Sequence, residues 1–224
     1  MKDLDLSLHV ISEERPARGR SHLDVARAAC AGGAGVFQLR VKGGSPPDVL
    51  ALARAAVATC RAAGVACIVN DFPEIAAAAG AAGSHVGAED MPLDLALALA
   101  ERHGLVVGAS ATTLEEALRA QAAGAHYLGV GPIFPTGSKP DAAPPLGLEG
   151  LRAVCARVRL PVVAIGGIGL EQVREVIAAG AAGVAVISAV TTSDDMAETV
   201  RELRRQVDAA LRECRTTAGQ GGRI

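Results

Sequence analysis

The residues best suited to chemistry fall directly after runs of Val, Ile and Leu. Gln38, Arg40 and Lys42 close one such run, Asn70 and Asp71 the next; His85 and then Glu89 and Asp90 follow a third, and Ser110 ends a fourth. Later runs lead into GPIFPTGSKP, end at Gly166-Gly167, and end at Ile187-Ser188. Two carboxylates after adjacent runs, Asp71 and Asp90, can converge on one hard cation, and Mg²⁺ typically takes one or two carboxylates plus phosphate oxygens. Each aspartate also has a simpler use as a helix N-cap, since Asp71 precedes Phe72-Pro73 and Asp90 precedes Met91-Pro92. Arg40, at the end of an apolar run, can clamp a pyrophosphate bidentately. Thr136, Ser138 and Lys139 beside Gly137 offer hydroxyls and a cation suited to a phosphate, although the spacing is not that of a P-loop. Gly167, Ile187 and Ser188 offer backbone N–H groups, and glycine lets a phosphate approach the main chain closely. His85 and Cys67 are reactive types, but no Ser/His/Asp or Cys/His arrangement follows from their spacing. His85 reads first as a satisfied polar residue beside the site.

These residues need a scaffold that brings many strand ends to one place. Eight apolar runs without alternation, at 4–11, 36–40, 66–70, 83–86, 105–110, 127–131, 162–165 and 184–188, predict parallel strands buried on both faces. Between and after them, helical patterns span 22–31, 47–63, 73–79, 93–103, 114–123, 148–157, 170–179 and 194–215. Ala63-Gly64, Ala79-Gly80, Ala123-Gly124 and Ala179-Gly180 each stand at a helix end just before a strand, where glycine can take the left-handed conformation that stops a helix. The pattern is α/β. It fits an open doubly wound sheet or a closed barrel, and eight units favour a single-domain (β/α)₈ TIM barrel, whose active site lies at the C-terminal strand ends. We place the barrel at 1–214 and expect a disordered tail at 215–224, which is polar and Gly-rich.

Composition narrows the partners. Lys plus Arg (22) nearly balances Asp plus Glu (24), so no global field draws nucleic acid or an anionic membrane, and any anion site must be local. No run approaches the roughly 18 apolar residues of a membrane span. The five cysteines are scattered without C-x-x-C pairing, as expected of reduced, mostly buried thiols. With a charged N-terminus, MKDLDL, a soluble cytoplasmic protein acting on small phosphorylated molecules is expected, and the sequence leaves a homo-oligomer open. With Trp absent and one Tyr, the core must be built from small aliphatic side chains.

As an ordered set, QLRVK at 38–42, ND at 70–71, HVGAED at 85–90, GAS at 108–110, GPIFPT at 131–136, AIGGI at 164–168 and AVIS at 185–188 resemble the thiamine-phosphate synthase family along nearly the whole chain. The resemblance implies the joining of hydroxymethylpyrimidine pyrophosphate to a thiazole phosphate, with Mg²⁺, giving thiamine phosphate and pyrophosphate. It implies that Gln38, Leu39, Arg40, Val41, Lys42 and Asn70 form the pyrimidine pyrophosphate site, with Asp71 and Asp90 on the Mg²⁺. Ser110 would hold the leaving group or the pyrimidine, and Arg40, Lys42 and Ser110 would be the catalytic set. Thr136, Ser138, Lys139, Gly167, Ile187 and Ser188 would hold the thiazole phosphate or contact the pyrophosphate. Three positions depart from the family pattern: Val41 for Glu, Phe72 for Arg and Gly137 for Thr, the first two removing a charge near the site. Thiazole tautomerases, which share the barrel, have Gly-His where Gly131-Pro132 stands and a degraded metal site. A barrel that only binds thiazole phosphate, or an unrelated phosphate-binding isomerase, are the other readings.

Overall fold

The computed structural model describes residues 4–13, 17–138 and 143–220. Eight parallel strands, β1 (Leu8–Ile11), β2 (Val36–Leu39), β3 (Ala66–Asn70), β4 (Gly83–Val86), β5 (Val106–Ala111), β6 (Tyr127–Val130), β7 (Val162–Ile165) and β8 (Gly183–Val186), pair in sequence order, and β8 closes on β1. Helices α1 (His22–Gly32), α2 (Pro46–Ala62), α3 (Pro73–Ala79), α4 (Leu93–His103), α5 (Leu114–Ala123), α6 (Gly147–Arg157) and α7 (Val173–Ala178) alternate with the strands. A four-residue α8 (Ser188–Thr191) and the long α9 (Met196–Gln220) follow β8. The fold is a single-domain (β/α)₈ barrel.

Alternation along each strand divides the apolar side chains into two layers. Ile11, Val36, Ile68, Val106, Tyr127, Val163 and Ala185 fill the interior of the barrel. Leu8, Val10, Phe37, Leu39, Cys67, Val69, Leu128 and Val184 belong instead to the layer shared with the helices. The helices contribute many alanines to it, among them Ala53, Ala56, Ala76, Ala96 and Ala117, which let them sit close against the strands. Shortening a fully buried strand residue such as Leu128 to Ala would cost about 2–5 kcal/mol.

The junction glycines behave as their positions suggest. Gly64, Gly80, Gly124 and Gly180 have φ of 72, 69, 101 and 105°, so each stops a helix and turns the chain into the next strand. The ring of helices closes where α9 meets α1, and a Cβ at Gly32 would lie 2.4 Å from Cβ of Val200. Arg204 of α9 ties the closure to the segment before β1, with Nη1 2.6 Å from Asp5 Oδ2 and 3.0 Å from Ser7 Oγ.

Some boundaries differ from the sequence expectation, each for a local reason. β1 begins at Leu8 and not at residue 4, because Asp5 Oδ1 accepts the Ser7 N–H at 3.1 Å and bends the chain there. β8 stops at Val186, and Ser188 opens α8 instead of ending the strand. The final helix runs on to Gln220, past the expected start of the tail at 215; residues 221–224 lie outside the described set. All five cysteines are free; Cys60 and Cys67 are buried, Cys30 and Cys155 partly so, and Cys214 is exposed. No helix among the described residues is long and apolar enough to cross a membrane.

Candidate active site

A cavity of ≈ 220 Å³ opens at the C-terminal ends of the strands. Its wall includes Gln38, Arg40 and Lys42 after β2, Asn70 and Asp71 at β3, His85 and Asp90 at and after β4, and Ser110 in β5. Thr136 and Ser138 after β6, and Ile187 after β8, complete the ring. These residues converge because inward positions on parallel strands share one level and the polar ones lie at the strand ends.

Leu39 and Val41 alternate with Gln38, Arg40 and Lys42, and their side chains lie in the apolar layer under the helices. Gly167 and Ser188 sit just outside the cavity wall, while Gly166 and Ile187 are in it. Lys139 lies outside the described residues. Cys67 is buried in the sheet–helix layer, away from the mouth. Phe72 joins that layer too, so two of the three departures from the family pattern, Val41 and Phe72, add apolar packing where a charge would stand.

Neither aspartate caps a helix. The N-cap of α3 is Phe72 and that of α4 is Pro92, and neither helix has a side-chain cap. Asp71 instead has φ of 68°, a left-handed conformation uncommon outside glycine, held by its N–H bond to the His85 carbonyl at 2.8 Å. Its carboxylate receives Lys42 Nζ at 2.5 Å and the Asn70 amide, and the Asp90 carboxyl lies near enough to act on it. Burial first, then Asp90, pushes the Asp71 carboxyl up to about 6, while Lys42 opposes the shift. Asp90 is held by the Gly87 N–H at 2.7 Å from Oδ2. Among the described residues no group of three His, Cys, Asp or Glu is placed to hold a metal ion, so the two aspartates stand as a pair.

Across the mouth, the loop after β6 is pinned to the end of β7. Ile133 N and Phe134 N donate to the carbonyls of Ile165 and Gly166 at 2.9 and 3.0 Å. The approach is so close that a Cβ at Gly166 would lie 2.6 Å from Pro132 Cα, and one at Gly167 would lie 2.6 Å from the Pro135 carbonyl oxygen. Both glycines also have positive φ, 97 and 66°. Thr136 Oγ1 accepts the Ser138 N–H at 3.3 Å and shapes the hydroxyl-bearing turn.

Two residues that the sequence did not single out form the floor. Tyr127, fully buried, places its hydroxyl 3.0 Å from His85 Nδ1, and His85 Nε2 lies 3.0 Å from Ser110 Oγ. His9, also buried, stacks tilted against Tyr127 at 5.6 Å between ring centroids. Burial holds both imidazoles neutral, His85 down to about 4 and His9 to about 3. The available signal was the glycines opposite: Gly108 and Gly129 occupy strand positions where a side chain would strike the rings of Tyr127 and His85.

The family model for thiamine monophosphate synthase matches residues 8–190, which include all eight strands and every mouth residue described above. The chain belongs to the thiamine monophosphate synthase family. Among curated relatives, the thiamine-phosphate synthase of Methanocella arvoryzae is 47% identical over 201 residues, covering 90% of this chain and 94% of that one. The thiamine-phosphate synthase of Chloroflexus aurantiacus is 47% identical over 204 residues, covering 91% and 94%. The solved structure of thiamine phosphate pyrophosphorylase from Pyrococcus furiosus superposes with a TM-score of 0.84 at 38% identity, covering 92% of this chain and 98% of that one. Membership in the thiamine monophosphate synthase family thus extends over the barrel that carries Asp71, Asp90 and the strand-end cations.

Proposed function

We propose that this chain is a thiamine-phosphate synthase, a transferase that joins hydroxymethylpyrimidine pyrophosphate to a thiazole phosphate with release of pyrophosphate. The observation that carries this reading is the convergence of the Asp71–Asp90 pair with Arg40 and Lys42 in one cavity. Acidic groups beside basic ones suit a polyanion accompanied by a cation, and a tautomerase or a simple binder needs no such pair.

The donor set fits a divalent metal. Two neighbouring carboxyl groups, one of them shifted up to about 6 by burial and by the other, carry an unfavourable charge that a hard cation relieves. Asp71 and Asp90 would hold Mg²⁺, with substrate oxygens and water as its remaining ligands. When bound, Mg²⁺ supplies neutralisation of charge on the pyrophosphate.

The protein's own part is to bind, orient and stabilise developing charge. Gln38, Asn70, Arg40 and Lys42 hold the pyrimidine pyrophosphate, with the two cations over its oxygens. The bond from the exocyclic methylene carbon to the pyrophosphate oxygen breaks, and its electron pair leaves on that oxygen, where Arg40 and Lys42 stabilise it. The thiazole nitrogen lone pair then forms the new carbon–nitrogen bond. No protein nucleophile or proton transfer is required, which agrees with the position of Cys67 away from the mouth. The loop of Thr136, Ser138 and Lys139, with main-chain N–H groups near Gly167, Ile187 and Ser188, receives the thiazole phosphate.

A binding measurement tests the polyanion site apart from turnover. Pyrophosphate should bind the chain more tightly with Mg²⁺ than with a chelator, and Arg40→Ala should weaken binding by about 1.5–3 kcal/mol. Binding indifferent to both changes would contradict the assignment.

A further inference from the structure

Beneath the mouth, Tyr127, His85 and Ser110 form a hydrogen-bonded line that the coupling chemistry does not itself require. A hydroxyl, an imidazole and a third polar group in line is also how an activated nucleophile is built, so the direction of the protons decides what this line does.

The protons can be placed by asking which arrangement leaves a group unsatisfied. The Tyr127 hydroxyl carries a hydrogen, since burial raises its pKa further. Around it lie Val36, Val106, Val163 and Ala185. Among the described residues its hydrogen-bond partner is His85 Nδ1; His9 stacks nearby without such a bond. Were Nδ1 the protonated nitrogen, it would donate to Tyr127, and the phenol hydrogen would be left buried with no acceptor, which protein interiors avoid. Tyr127 therefore donates to Nδ1, and the ring hydrogen of the neutral imidazole lies on Nε2. That hydrogen is donated to Ser110 Oγ, which leaves the hydrogen of Ser110 directed elsewhere, toward the cavity it lines. The polarity is the reverse of a hydrolytic triad, in which Nδ1 donates to the third group and Nε2 is free to take the hydroxyl proton.

We infer that Tyr127 and His85 are positioning residues that hold the Ser110 hydroxyl as a hydrogen-bond donor facing the substrate, toward an acceptor such as a ring nitrogen or a phosphate oxygen. His85 in this state cannot deprotonate Ser110. A second observation supports the line as a built feature. A Cβ at Gly108 would lie 2.1 Å from Tyr127 Cζ and 2.6 Å from His85 Nδ1, and one at Gly129 would lie 2.8 Å from His85 Cε1. Glycine weakens a strand interior, and these two strand positions are left without side chains to seat the two rings.

The substrate's identity rests on the function proposed above, whereas the proton assignment does not, and the test separates them. In ¹⁵N NMR of the full chain, with His85→Gln to assign the ring, His85 should show a hydrogen on Nε2 and a bare Nδ1. A hydrogen on Nδ1 in the unmodified chain overturns the inference. Tyr127→Phe should lower kcat by roughly five- to tenfold, as expected for one misdirected hydrogen bond. In a Ser110→Ala background the same change should cost nothing further. An equal loss in both backgrounds would make Tyr127 a packing residue and overturn the inference. His85→Gln, which keeps an N–H donor, should retain more turnover than His85→Leu, and the opposite order would contradict it. If the unmodified chain couples no substrates, the proposed function fails, and the NMR result still decides the polarity.

Discussion

Asp71 and Asp90 follow different strands, yet both line the mouth of the barrel and the Asp90 carboxyl lies near enough to raise the pKa of Asp71. Asp71 reaches that position through a left-handed backbone and Asp90 through a bond from the Gly87 N–H, so neither serves the helix that follows it. If the pair holds one cation, either loss alone leaves an incomplete site. Asp71→Asn and Asp90→Asn should each lower turnover by at least roughly 100-fold. The double variant should be little worse than either single one. Chelation should abolish turnover and added Mg²⁺ restore it; additive losses, or full activity in excess chelator, would rule out a shared metal.

The phosphate loop makes a separate prediction. Lys139→Ala should weaken thiazole phosphate binding by roughly 1.5–3 kcal/mol, the range of a charge-assisted hydrogen bond. Calorimetry with the phosphate and with an unphosphorylated thiazole would show a loss confined to the former. Equal losses would mean that Lys139 does not read the phosphate.

Acid should destabilise the fold through its buried imidazoles. In the unfolded chain His9 and His85 take up a proton below about 6.5, whereas burial holds them neutral in the fold down to about 3 and about 4. Their contribution to stability is therefore intact above about 6.5 and falls as pH drops through that window. Asp71, shifted up to about 6, works in the opposite direction between about 4 and 6. His9→Leu isolates one imidazole, because His9 Nε2 is buried with no hydrogen-bond partner among the described residues. Urea denaturation should show the variant losing less stability than the parent between pH 7 and pH 4; parallel curves would refute the assignment.

Covalent catalysis is not expected. Cys67→Ala and His85→Ala should each keep measurable turnover, and Cys67→Ala should act mainly on stability, since Cys67 lies in the apolar layer behind β3. Mass spectrometry of the protein during turnover should find no adduct. A trapped substrate adduct on either residue would overturn the dissociative reaction.

The strands, the glycine junctions and most of the mouth were legible because they depend on local patterns. Apolar runs without alternation mark strands covered on both sides, and a polar residue at the end of such a run has the barrel mouth as its place. The floor was not legible, because the bond between His85 and Tyr127 joins residues 42 apart in the chain. Spacing alone likewise says nothing of Ser110 meeting His85. Gly108 and Gly129 were visible as letters, but the space they leave acquires meaning only when strand register is known. The capping alternative for Asp71 and Asp90 could not be dismissed from the sequence either, since Asp before X-Pro is a valid helix start and only the backbone shows otherwise. The start of α8 at Ser188 was missed because VIS continues the β-branched pattern of the strand.

The most direct measurement combines the purified chain with hydroxymethylpyrimidine pyrophosphate, the thiazole phosphate and Mg²⁺, and follows the products by mass spectrometry. The proposed synthase activity predicts thiamine phosphate and pyrophosphate in equal amounts, with neither formed when a substrate is omitted or the cation is chelated. Intact substrates after prolonged incubation with folded protein and Mg²⁺, or a rearranged thiazole without coupling, would contradict it.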